Sequence, residues 1–281
     1  MARYTNKHNL PDWRIRLMDL PYEPKEGRFS VTELIGPPLI RRIKLDHWDE
    51  LVWDYSEFLQ SSRGSLLHAV KERLAGPGQE AEQKLEHEFM PGATVVGKLD
   101  MYDGGIVRDY KHSRVGYLKL HGADVEAQLN MYAELCRRNG KPVTQLEAGV
   151  EYMNWDWKLA TFTTPYPYPP IPFEASYPPL WPTERAVAYI TARLEAHLAK
   201  PVPVCTPEER WQGRSAWAVL SGENQTAKRV CQSKEQAEDW LSRNKVRDPW
   251  IQERPGGSLR CKFWCNGIRE FCPLWRSGQC D

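Results

Sequence analysis

The sequence predicts an α/β fold, and three observations carry that expectation. Residues 97–113, GKLDMYDGGIVRDYKHS, read as a β-hairpin, because a Gly104-Gly105 pair between alternating stretches favours a two-residue turn. The stretch GADVEAQLNMYAELCRRNGK reads as a helix, with Val125, Leu129, Tyr132 and Cys136 at helical spacing. Asp124 and Glu126 sit in its expected first turn, Arg137 and Arg138 in its last, and Gly140 ends it. QLEAGVEYMNW then returns as a strand, so with a helix before the hairpin the order is α-β-β-α-β.

The other elements follow in order. Residues 1–29 are polar and proline-bearing and read as an arm over the surface. FSVTELIGPPLIRRIKL reads as a short helix broken at Pro37-Pro38, then a second stretch. Residues 46–75 are helical in pattern, with Leu66, Leu67, Val70 and Leu74 along one side, and Gly76, Pro77 and Gly78 stop them. A strand is expected near residues 85–90. TTPYPYPPIPFEASYPPLWP holds too much proline for regular structure and reads as an extended segment. TERAVAYITARLEAHLAK is a further helix, with Thr183 as its expected N-cap. From residue 201 the texture changes: AWAVLSGENQTAKRVCQS reads as a second hairpin, KEQAEDWLSRN as a helix and PWIQERPG as a strand, a β-β-α-β insert ahead of a cysteine-rich terminus. The expected domains are therefore an arm over 1–29, a core over 30–200 and a C-terminal region over 201–281.

The 281 residues allow a sizeable core, and no run approaches the eighteen apolar residues of a membrane helix. MARYTNKHNLPDW has no apolar stretch of the secretory kind, so the expectation is a soluble cytoplasmic protein with no membrane partner. A net charge of +1 neither supports nor excludes nucleic acid, since a local basic surface hides in a balanced total. Twelve tryptophans suit packing and also base stacking. An odd number of cysteines, seven, argues against a disulfide scaffold. The crowding of Cys261, Cys265, Cys272 and Cys280 argues for metal, while Cys136 and Cys231 read as structural.

The hairpin carries the chemistry. With Gly104-Gly105 as the turn, Asp103 opposes Ile106, and counting outward sets Asp100 opposite Asp109. With Asp103-Gly104 as the turn, Asp100 opposes Val107 and Asp109 lies on the diagonal. Lys111 shares the acids' face in either register, and Leu99, Met101, Val107 and Tyr110 are expected on the other, buried face. Like charges opposed across strands are destabilising, so two such carboxylates need a raised pKa or a cation. Oxygen donors of this type suit magnesium or manganese. A solvated acidic and basic sheet face is the plainer alternative. His68 lies on the helix before the hairpin, and Gln128 and Tyr132 are i,i+4 neighbours on the helix after it.

In this order the positions resemble the PD-(D/E)XK nuclease superfamily in its RecB-like branch: G-x-x-x-H at Gly64 and His68, G-x-x-D at Gly97 and Asp100, D-x-K at Asp109 and Lys111, and Q-x-x-x-Y at Gln128 and Tyr132. The likeness spans roughly residues 30–200. It implies a restriction-endonuclease-like α/β/α core and metal-dependent hydrolysis of DNA. By position, Asp100, Asp109 and His68 would hold Mg²⁺ or Mn²⁺, with the Tyr110 carbonyl as a further ligand. Lys111 would orient the attacking water, and Gln128 and Tyr132 would position the DNA backbone or the lysine. Leu99 stands where the family name has proline, and the second acid is Asp rather than Glu. Glu72 and Glu88 are candidate additional carboxylates, and surface acids explain both equally.

Cys261-x3-Cys265-x6-Cys272-Pro273 resembles the C-terminal cysteines of the iron–sulfur members of that branch. In those members a cysteine ahead of the core completes a four-iron four-sulfur cluster, but no cysteine precedes Cys136 here. CTPEERW, the insert and RPGGSLRC resemble phage and prophage members, which favours Cys205 as fourth ligand, with Cys280 as the alternative. Zinc is the alternative metal. The resemblance implies a phage-type DNA exonuclease acting on DNA with a free end, in DNA processing or recombination, within the host cytoplasm. It further implies homo-oligomers or recombination and replication partner proteins. Two alternatives stand beside it: a catalytically silent nucleic-acid-binding or complex-assembly subunit, and a zinc-clipped interaction protein.

Overall fold

A computed structural model describes residues 2–18, 20–161, 168–223 and 226–280, without the side chains of residues 65, 68, 69 and 71. The chain divides into two compact units, Met1–Pro203 and Val204–Asp281. Among the described residues no helix is long and apolar enough to cross a membrane.

The first unit is mixed α/β. It opens with β1 (Arg3–Thr5) and a single turn, α1 (Asp12–Ile15). β2 (Arg28–Ser30) runs directly into α2 (Val31–Ile35), where the Ser30 side chain accepts from the Glu33 amide and Glu33 reciprocates. α3 (Pro38–His47) begins with proline at its first turn, where no N–H is needed. β3 (Val52–Asp54) and α4 (Ser61–Arg73) follow, then β4 (Gln79–Met90), β5 (Ala93–Asp103) and β6 (Ile106–Ser113). α5 (Tyr117–Arg138) crosses to β7 (Gln145–Tyr152). α6 (Trp157–Thr161), β8 (Phe173–Ser176) and α7 (Thr183–Leu198) complete the unit.

β5 is the hub of the main sheet. β4 runs antiparallel along one of its edges, from Gln79↔Asp103 to Met90↔Ala93. The other edge is shared: β2 pairs in parallel over Thr94–Val96, and β6 pairs antiparallel over Met101–Asp103. β6 and β7 are parallel along their whole length, as the α5 crossover requires, and β8 closes the far edge. α5 and α7 bury the sheet's apolar face, with Leu99, Val107, Leu129, Leu135, Ile190 and Leu194 in one core. Apart from half-buried Glu126, α5 is buried from Val125 to Cys136, as expected for a helix enclosed by its own unit. Glu134, fully buried on it, is held by Arg137 and Arg138.

Several elements differ from the sequence expectation. Residues 1–29 are no loose arm, because β1 pairs with β3, β2 pairs with β5, and Phe29 is fully buried. Residues 46–75 are not one helix: Asp54 accepts from Thr5, the Lys7 amide and Ser56, and this tie breaks the run with β3. Leu66, Leu67, Val70 and Leu74 are exposed rather than packed. α5 begins at Tyr117, so Asp124 and Glu126 lie beyond its first turn. Thr183 is the first residue of α7, Pro182 occupies the cap position, and no side chain caps it. The proline-rich segment holds β8, and its residues 162–167 lie outside the described part.

The second unit builds the expected β-β-α-β order. β9 (Ala216–Ser221) is flanked by β10 (Arg229–Cys231) and β11 (Pro249–Arg254), both antiparallel to it. α8 (Lys234–Arg243) is capped by Ser233 and packs on Val219 and Cys231 through Ala237, Trp240 and Leu241. α9 (Leu259–Phe263) and α10 (Pro273–Arg276) end the unit.

Gly97 shows how tightly α5 lies on β5. A Cβ there would sit 2.7 Å from Leu135 Cδ1 and 2.8 Å from Tyr132 Cδ1. Gly97→Ala is expected to cost about 1–3 kcal/mol through overpacking, read from urea unfolding midpoints. An unchanged midpoint would show that α5 yields at this contact.

Candidate active site

Gly104 and Gly105 both adopt positive φ, +54° and +103°, as a two-residue hairpin turn of the primed type needs. This sets the register Asp103↔Ile106, Tyr102↔Val107 and Met101↔Arg108. The main-chain ladder stops at Met101↔Arg108, so Asp100 and Asp109 are the first residues beyond its end. The Tyr110 amide donates instead to Asp100 Oδ2 at 2.6 Å. Beyond this point β6 continues beside β7 to Ser113, so β5 and β6 part company. Between Val96, the last partner of β2, and Met101, the first of β6, residues 97–100 of β5 pair with neither strand on that edge. The two acids sit at the fork.

Asp109 is almost wholly buried, 1% exposed. Lys111 Nζ donates to its Oδ1 at 2.9 Å and lies 2.8 Å from Oδ2. Gln128 Nε2 donates to Asp109 Oδ1 at 3.2 Å and to the Tyr132 hydroxyl at 3.1 Å. Gln128 and Tyr132 can act together because one helical turn separates them on α5. Burial pulls the Lys111 ammonium down, but the Asp109 charge and hydrogen bond, with Asp100 behind them, outweigh it and hold the pKa above the ordinary lysine value. Lys111 is thus a fixed positive charge at neutral pH and has no lone pair to act as a base. Burial and the Asp109 charge push the Tyr132 hydroxyl well up, the Gln128 hydrogen bond offsetting part of this, so it stays protonated.

Val107 belongs to the core under α5, on the same face as Asp109 and Lys111, as alternation along β6 requires, and not with Tyr110, where it was expected. Along β5 alternation fails: Leu99 and Tyr102 both pack in that core although they lie three positions apart. The change of face falls at the Asp100 rung. On β4 the matching residue is Glu82, at φ +54°, and the rung Glu82↔Asp100 is the one missing between Ala81↔Met101 and Gln83↔Leu99. The Glu82 side chain is 11% exposed and ion-paired with Lys98. The hydrogen bond and charge of Glu82 raise the Lys98 pKa against burial, with Glu72 and Asp100 adding to it. Nothing in the sequence marks Glu82, since a left-handed glutamate in mid-strand has no compositional signature.

The remaining sequence candidates divide. Gly97 lies under α5, as described. Glu88 pairs with Thr94, at the far end of β5 from Asp100, and its Oε1 accepts from the Gly92 amide in the β4–β5 turn at 2.7 Å. His68 lies on α4, as does Gly64, and the His68 side chain is outside the described residues. Among the described residues, no three His, Cys, Asp or Glu side chains already form a metal cage. The fit to a hard divalent ion therefore rests on Asp100 and Asp109 and their oxygen donors.

The second unit gathers sulfur. Cys261 and Cys280 are buried with Leu274, half-buried Cys205, Cys272 and Trp275 pack against them, and all four cysteines are free thiols. Burial pushes the Cys205 thiol up to about 12, with Glu209, Cys272 and Cys265 adding and Arg260 opposing. Burial likewise raises Cys265 to about 11, with Arg260 opposing and Cys272 adding. Burial and a hydrogen bond with Cys280 raise Cys261 further. Five cysteines therefore influence one another, and both Cys205 and Cys280 belong to the group. Sulfur donors of this kind suit a thiophilic metal or iron–sulfur cluster, yet among the described residues no three of these cysteines are already placed as a metal site. Cys136 lies in the core of the first unit and Cys231 under α8.

No family model matches the chain, and no curated protein does. A solved structure described as the crystal structure of SSO0001 is similar over 65% of this chain and 81% of that one, at 18% identity and a TM-score of 0.42. At that level the likeness carries no conclusion on fold or function.

Removing the lysine leaves Asp109 charged in a buried place. Lys111→Ala is expected to lose about 3 kcal/mol of unfolding free energy at pH 7. Lys111→Met with Asp109→Asn recovers most of it. Urea unfolding of both variants reads this, and a double variant no more stable than Lys111→Ala would contradict the coupling.

Proposed function

We propose that the first unit is the catalytic core of a divalent-metal-dependent deoxyribonuclease of the PD-(D/E)XK superfamily, RecB-like branch, which hydrolyses phosphodiester bonds of DNA with a free end. The observation that carries the reading is the fork just beyond Met101↔Arg108: Asp100 accepting from the Tyr110 amide, next to Asp109 with Lys111 on it and Gln128 behind it. The order of β4, β5 and β6, followed by the α5 crossover to parallel β7, supports the restriction-endonuclease-like core that the resemblance implies.

Asp100 and Asp109 would hold Mg²⁺ or Mn²⁺, with His68 and the Tyr110 carbonyl as the further ligands implied by the resemblance. Such an ion supplies polarisation of the phosphate and a lowered pKa for the attacking water. The chain's own residues do the rest. Lys111, kept protonated by two carboxylates, offers positive charge where a pentavalent phosphorane gathers negative charge. Gln128 fixes the Asp109 carboxylate plane, and the Tyr132 hydroxyl fixes Gln128 in turn. In the second unit, four of Cys205, Cys261, Cys265, Cys272 and Cys280 would bind a four-iron four-sulfur cluster, with zinc as the alternative, and tie the terminus into the unit. Phage DNA processing or recombination is the setting to which the resemblance points.

End-labelled single- and double-stranded DNA incubated with Mg²⁺ or Mn²⁺ tests the reading. Wild type is expected to shorten the DNA, and Lys111→Ala and Asp109→Ala to do so at least 10²- to 10³-fold more slowly. Binding without cleavage by the wild type would replace this reading with the silent, nucleic-acid-binding one. Cleavage undiminished in both variants would move the active site elsewhere.

A further inference from the structure

The second unit leaves a group of large apolar side chains in solvent, and they are not scattered. Within one short segment Leu259, Phe263 and Trp264 are exposed, Phe263 by 66% and Trp264 by 69%. Trp211, from a distant part of the unit, meets Trp264 edge to face with ring centres 5.9 Å apart. The Arg260 guanidinium lies over the Trp211 ring at 4.2 Å. Backbone bonds hold the two segments together: Arg260 N donates to Arg210 O, Gly213 N donates to Gly257 O, and Gln212 bridges Ser258. Trp211 is itself held at φ +52°, where a bulky residue is strained. The surface is therefore a built one.

Its charge selects the occupant. From Leu259 to Arg276 the chain carries Arg260, Lys262, Arg269 and Arg276 against one acid, Glu270. Lys262 and Arg276 are exposed, and Arg269 and Arg276 donate to backbone carbonyls, which leave their charge in place. Exposed rings beside basic side chains offer stacking to unpaired bases and charge to the backbone that links them. Duplex bases are already stacked and cannot use the rings. The geometry points to a single-stranded DNA binding surface on the second unit, formed by Trp211, Arg260, Lys262, Phe263 and Trp264. The choice of DNA rests on the function proposed above, whereas the choice of a single strand rests on the rings.

Anisotropy of a labelled, phosphorothioate-linked oligo-dT tests this with the full chain and no added divalent ion, so that binding is read apart from cleavage. Expected are tighter binding to the single strand than to a duplex of equal length, and a loss of about ten- to a hundredfold for Trp264→Ala. Trp264→Tyr should restore binding, and Lys262→Ala should reduce the slope of log affinity against log salt by about 0.7. Bound iron or zinc and the thermal midpoint report whether each variant keeps its fold. If Trp264→Ala loses either, Phe263→Ser and Lys262→Ala serve in its place. Unchanged affinity in the folded variants, preference for duplex, or preference for RNA would overturn the proposal. Each of those results leaves the nuclease reading to its own assay, just as failure of cleavage leaves this one standing.

Discussion

Everything in the first unit is arranged around one buried ion pair. A carboxylate as deeply enclosed as Asp109 carries a desolvation penalty of several kcal/mol, and removing its partner would leave that penalty unopposed. Lys111, two residues along the same strand, meets both of its oxygens, and Gln128 from α5 meets one. That geometry needs β6 to be held on its far side by β7 along its whole length. It also needs α5 to lie close on β5, which the missing side chain of Gly97 permits. A stable core does not by itself require a charged pair in this place, since apolar residues of similar volume serve stability as well or better. Its place at a fork in the sheet, near a second acid, is what the proposed function draws on.

The rung next to the pair is where the sheet departs from regularity. Tyr110 gives its amide to a side chain, Glu82 turns left-handed, and the pairing of Glu82 with Asp100 is lost while the register on either side is unbroken. A non-glycine residue held at positive φ costs on the order of 1–3 kcal/mol and persists only where its surroundings over-determine it. The same rung is where the face presented to α5 changes between Leu99 and Tyr102. The irregularity and Asp100 thus fall on the same rung.

Much of this was legible in the sequence, and the reasons are local. The glycine pair at 104 and 105 set the hairpin register, because only glycine takes two consecutive positive φ angles at little cost. The spacing along α5 placed Gln128 and Tyr132 together. Most of what failed depended on tertiary contacts. β3 interrupts the apparent helix over 46–75 because Asp54 finds donors on β1, almost fifty residues earlier. Grouping Val107 with Tyr110 overlooked that residues three positions apart on a strand face opposite ways, and no sequence pattern could reveal Glu82, whose left-handed backbone follows from strain rather than composition. Glu88 looked like a spare ligand until the Gly92 amide claimed it. In the second unit, spacing isolated Cys261, Cys265 and Cys272 but left Cys205 and Cys280 as rivals, whereas folding brings both to the same cluster.

The central claim is that Asp100 and Asp109 hold one divalent ion at the fork. Electron paramagnetic resonance of Mn²⁺ titrated into the chain tests it most directly, because free and bound manganese give distinct signals without any need for turnover. The account predicts one tightly held Mn²⁺ per chain, displaced by Mg²⁺ and lost in Asp100→Asn and in Asp109→Asn. Undiminished manganese binding in both variants, or none in the wild type, would contradict it.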